Sequence, residues 1–184
     1  MQCKVTDLSV VGLALVVVLI SVSDSLAQAN PVKGSGAGTF VTANFSYDGL
    51  APAVSTTQSG TDTVAGPFTR QTVAESKPTI TACTAPDSTA GLQFDLVAAD
   101  TVTTFNTGQL YASAVASPTN HECVSNTTGS FGGAQTYTVN GGTGKYATAT
   151  GTVTSTFTGQ ILTPSGAKGI FGAEQFTSTG SVTK

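Results

Sequence analysis

Downstream of residue 29 the chain carries eight carboxylic acids and one imidazole, His121. Paired-carboxylate catalysis needs two acids facing one cavity. Asp48, Asp62, Glu75, Asp87, Asp95, Asp100 and Glu122 fall mostly in turns or on the polar parity of a strand. Glu174 is the exception. It shares its parity with Ile170, Phe176 and Val182, which would point it into a core, where a carboxyl needs a partner or a raised pKa. The weightier alternative is a bulge that turns Glu174 outward, or a place at a rim. Serine chemistry has little footing. No Gly-x-Ser-x-Gly elbow occurs, and Ser165-Gly166-Ala167-Lys168 matches Ser-x-x-Lys only within a turn, without its companion motifs. Gly144-Lys145 fails as a phosphate loop, with Val139 where Gly is needed and Tyr146 where Ser or Thr is needed.

The whole chain has 184 residues, a net charge of −3 and 9% charged residues. The seven basic residues are scattered, so no patch exists to neutralise phosphates, and nucleic acid is excluded as a partner. No cofactor motif is present. Residues 1–29 read as a signal peptide. Lys4 lies in a short n-region, Leu8–Ile20 is an apolar stretch, and Ala27-Gln28-Ala29 is a small-x-small cleavage pattern. The apolar stretch is shorter than the ~20 residues that span a bilayer. The expectation is export, to the periplasm or the extracellular space, with cleavage after Ala29 or else after Ala27. No later run is long enough for a membrane helix.

Export leaves two cysteines, Cys83 and Cys123, which read as one disulfide. A metal site using Cys83, His121 and Cys123 lacks a fourth ligand and a Cys-x-x-Cys pair, so no metal is expected.

The elements that must position these groups are strands. Asn30–Gly38 reads as a mobile lead-in, and 39–184 as one domain with period-two patterning. In Ala149–Ile161, threonines from Thr150 to Thr158 take one parity. Val153, Phe157 and Ile161 take the other and should face inward. Further strands are expected at Gly38–Tyr47 (Val41, Ala43, Phe45 and Tyr47 on one side), Leu92–Ala98, Gln109–Ser117, Ala134–Asn140 and Gly169–Thr183. Phe68–Glu75 is a weaker candidate. Ala51–Gly66 and Lys77–Ala90 read as irregular, and Pro164-Ser165-Gly166 as a turn. Seven or eight antiparallel strands result. The fold class is all-β, a closed barrel of about eight strands, with a β-sandwich as the alternative. Closure is preferred because long, weakly charged strands make hazardous open edges.

One segment resembles a known family. Gly141-Gly142-Thr143-Gly144-Lys145-Tyr146, running on through small residues to Gly151, is similar to a turn of the allene oxide cyclase and dirigent barrel superfamily. Phe171–Phe176 resembles small secreted bacterial members of it. Thr148 departs from the pattern, where many relatives carry Gly. The resemblance implies an eight-stranded antiparallel barrel and a Tyr146 that plugs one end. It carries no substrate-handling residue onto this chain. The functional expectation is an exported, non-enzymatic barrel that binds a small apolar ligand or serves an envelope or extracellular structural role. Glu174, Tyr111, Tyr137, Phe157 and Phe176 are expected to line its interior. A cyclase- or isomerase-type enzyme with Glu174 as its polar actor is the second reading. A surface-adhesion module is the third, and threonines spread over three or more adjacent strands would favour it.

Overall fold

The computed structural model describes residues 28–163 and 169–184. Nearly all of the expected leader, the Pro164–Gly166 turn and the Ser165–Lys168 motif lie outside them. The described residues form nine strands: β1 Ala29–Thr42, β2 Val54–Asp62, β3 Gly66–Thr84, β4 Ala90–Phe105, β5 Gly108–Val115, β6 His121–Ser125, β7 Ser130–Gly142, β8 Thr150–Ile161 and β9 Phe171–Thr183. All pairings are antiparallel. No described helix is long and apolar enough to cross a membrane.

The pairings close on themselves. β1 bonds β2 and β9, β3 bonds β2 and β4, and β7 bonds β8. Between β4 and β7 one position in the ring is filled by two short strands. β5 pairs with Ala98–Phe105 of β4, and β6 pairs with Gly91–Asp95. The result is a ring of eight positions with an uneven cross-section, describable as a flattened barrel or as a sandwich joined at both edges.

Burial alternates as period two requires. On β8, Val153, Ser155 and Phe157 are buried, while Thr152, Thr156 and Thr158 are on the outer face. On β9, Gly172, Phe176, Ser178 and Val182 are buried on the parity of Glu174. Two apolar clusters fill much of the interior. One is five phenylalanines, Phe40, Phe68, Phe131, Phe157 and Phe176. The other includes Leu96, Ala112, Tyr137, Tyr146, Val153 and Val182.

Several expectations need correction. Asn30–Gly38 is no free lead-in; it makes up most of β1, paired throughout with β9 and from Gly34 onward with β2 as well. The inward parity of β1 is Gly34, Gly36, Gly38 and Phe40, while Val41 and Phe45 are exposed. The apolar pattern there misleads because rings from neighbouring strands, such as Phe176 beside Gly36, cover a glycine face. Ala51–Gly66 contains β2, whose Thr, Ser and Gly hide its alternation. Lys77–Ala90 is largely the extension of β3, and the five-residue β6 had no signal of its own. On β4, Val97 is an extra residue opposite Glu75 and Ser76. That bulge moves the inward parity from Phe94 and Leu96 to Ala99, Thr101 and Thr103, so Ala98 does not continue the inward run.

The two cysteines stand at disulfide distance. Cys83 on β3 and Cys123 on β6 have Cα atoms 5.9 Å apart and tie together the two neighbours of β4. At the other end Gly144–Tyr146 is a 3₁₀ turn, and Tyr146 is 3% exposed with its ring 5.2 Å from Phe105. Gly142 is obligatory there, because a Cβ would lie 1.9 Å from the Gln109 carbonyl oxygen.

Candidate functional site

Above the phenylalanine cluster the interior keeps a cavity of about 290 Å³. Its mouth lies between the β1–β2 loop and the start of β9, where the lining residues Pro52 and Ile170 are exposed. The loop is pinned to the ring by Glu75, whose carboxylate accepts from Ser46 Oγ at 2.9 Å and from the Tyr47 N–H at 2.5 Å. Phe40, Phe94, Phe131 and Phe157 give the walls an aromatic character.

Three polar residues of the wall, Glu174, Gln58 and Arg70, belong to one register row across five strands. Strand register aligns Glu174 (β9), Gly38 (β1), Gln58 (β2), Arg70 (β3) and Thr103 (β4). Gly38 lets the row connect. A Cβ there would lie 2.7 Å from Gln58 Cγ, and without it Gln58 Nε2 reaches past β1 to donate to Glu174 Oε1 at 2.5 Å. Arg70 turns toward the floor. Its Nε donates to Thr103 Oγ1 at 3.2 Å, both Nη atoms donate to Ser178 Oγ at 3.4 Å, and its guanidinium lies 5.0 Å from the Phe176 ring centre. Burial lowers the pKa of Arg70.

Glu122 lines the same cavity from β6, opposite Phe94. Burial, followed by repulsion from Glu174, pushes its carboxyl up to about 7. Glu174 is also raised by burial, against the opposing effects of Gln58 and Arg70. Tyr137 donates to Gln135 Oε1 at 2.5 Å, and burial raises its phenol further above its ordinary value. The cavity therefore presents an apolar body with a compact polar patch that can donate, accept and hold a proton.

Glu174 faces the cavity, on the inward side of its parity and against the weightier expectation of a bulge or a rim position, and Tyr137 and Phe157 also line the cavity. Tyr111 does not. Its parity on β5 is the outer one, it is 36% exposed, and its hydroxyl donates to Gln109; Ala112 and Ala114 take the inside. Phe176 is buried below the cavity under Arg70, as packing rather than lining. Sequence reasoning missed Gln58, Arg70 and Glu122. Arg70 shares a parity with Phe68 and Thr72, and Glu122 with Val124, but those strands were weak or unread.

The outer face is a second surface of note. Thr154 stands between Thr136 and Thr179, Thr156 pairs with Thr177, Thr152 stands between Thr138 and Ser181, and Thr39 pairs with Thr57. Hydroxyl side chains thus run in register over β9, β8 and β7, and Thr39 and Thr57 form a separate pair on β1 and β2, with Ala173 beside Thr39 on β9. No protein-family model matches the chain, and no curated protein matches it.

Proposed function

We propose that this chain is an exported binding protein that encloses one small, largely apolar ligand within its ring of strands. The carrying observation is the cavity of about 290 Å³, aromatic in its walls and polar along the Glu174–Gln58–Arg70 row. Eight-position barrels have interiors just filled by side chains or wide enough for one small ligand, and the cavity supports the second case. The leader read at residues 1–29 and the Cys83–Cys123 bridge support an oxidising destination outside the cytoplasm. The Gly141–Gly151 turn, with Tyr146 closing one end, supports kinship with the allene oxide cyclase and dirigent barrels.

Native mass spectrometry of freshly purified protein tests the binding reading. The expected result is a co-purifying small molecule, absent from Ala74→Phe, a variant that places a ring in the cavity while keeping a strand-type circular-dichroism spectrum. A wild-type protein that is always empty and takes up no apolar probe would refute it.

Two other readings each have one supporting observation. Glu122 and Glu174 facing one cavity support an isomerase- or cyclase-type enzyme, which would use Glu122 near neutral pH as its proton carrier. The in-register hydroxyls over the three adjacent strands β7, β8 and β9 support adhesion to a surface.

A further inference from the structure

If the cavity holds a ligand, as proposed above, Gln58 dictates part of that ligand's chemistry. Gln58 is 8% exposed and lies in the cavity wall. Its Nε2 donates to Glu174 Oε1. That orientation is forced while Glu174 is a carboxylate, because an ionised carboxylate only accepts. The amide oxygen is left buried with no hydrogen-bond partner. A buried acceptor without a donor is costly, and a ligand that brings a donor recovers the loss.

Arg70 is the cross-strand neighbour of Gln58. A guanidinium has five N–H donors, and three bonds to Thr103 and Ser178 account for part of that capacity. Donors therefore remain for an incoming oxygen beside the unpartnered Gln58 acceptor. Directly paired strand residues have Cβ atoms about 4.5–5.5 Å apart, and both side chains line the cavity, so one group that both donates and accepts can serve the two. A hydroxyl does so. Charge narrows the class further. Arg70 already offsets Glu174 in the same row, so a ligand carboxylate would add an unbalanced buried charge, whereas a neutral molecule would not. The body is set by Phe40, Phe94, Phe131 and Phe157, whose rings suit a flat aromatic partner.

We propose that the cavity takes a neutral aromatic alcohol or phenol, whose hydroxyl donates to Gln58 Oε1 and accepts from Arg70.

Three fluorescent probes test this: β-naphthol, its near-isostere β-methylnaphthalene, which lacks the hydroxyl, and the anion β-naphthoate. Dissociation constants are measured for the wild type and for Gln58→Met, with Gln58→Leu as a second variant. Circular dichroism checks each fold. The preference for β-naphthol over β-methylnaphthalene should fall about tenfold in the Gln58 variants, with β-methylnaphthalene binding retained. In the wild type, β-naphthoate should bind about tenfold more weakly than β-naphthol. An unchanged preference in the variants overturns the hydroxyl assignment and leaves the binding reading standing. So does β-naphthoate binding more tightly than β-naphthol. Failure of all three probes to bind the wild type overturns both.

Discussion

Glu122 has a folded-state pKa of about 7, raised from 4.5 first by burial and then by Glu174. The folded protein therefore holds this proton more tightly than the unfolded chain. Its contribution to stability is greatest below the unfolded value and is lost as pH rises through the folded one. The loss is at most about 3 kcal/mol. Glu122→Gln should remove it. Urea unfolding near pH 5 and near pH 8 should show wild-type stability falling over that window and a flatter profile in the variant. Equal slopes would mean that Glu122 is not enclosed. At this scale the sequence was half legible. Glu174 stood out because large apolar residues share its parity, although the weightier reading turned it outward or placed it at a rim. Gln58 and Arg70 could not, because their place beside Glu174 comes from a row spanning five strands, and Gly38, which permits it, bears no side chain to read.

Strands were legible where apolar and polar residues alternate without interruption, as in β8 and β9. They were illegible where the interior is lined by small residues. β1 turns Gly34, Gly36 and Gly38 inward, so its period-two signal is a contrast between glycine and serine or threonine. The Val97 bulge was hidden for another reason: a bulge is set by what the partner strand requires. The Cys83–Cys123 bridge belongs to this scale, since it fastens β3 to β6 across β4. Its sequence separation of 40 implies a stabilisation of roughly 3–4 kcal/mol in the chain-entropy description. Urea unfolding with and without a thiol reductant should show a shift of that size, and Cys83→Ala with Cys123→Ala should reproduce it. No shift would show that the bridge is not formed in the purified protein.

For the whole molecule, closing the ring divides every strand into an inner and an outer face. The inner face carries the cavity, and the outer face carries the in-register hydroxyls of β9, β8 and β7. Those hydroxyls make the adhesion reading testable on its own terms. Sedimentation with insoluble crystalline polysaccharide should deplete wild-type protein from solution, and the pair Thr154→Lys and Thr177→Lys should abolish the depletion while leaving probe binding inside the ring intact. Wild-type protein that stays in solution would reduce the threonines to ordinary outer-face residues, chosen for their β preference. The sequence by itself determined the all-β class, the inward parity of the clearest strands and the cysteine pair, because alternation and cysteine count are local or compositional properties. Only the tertiary structure decided that one ring position is shared by two strands, that Tyr111 faces out, and that Glu174 is joined by Gln58, Arg70 and Glu122. Those facts depend on register between strands far apart in sequence, and a shift of one residue in any strand would turn its side chains to the opposite face.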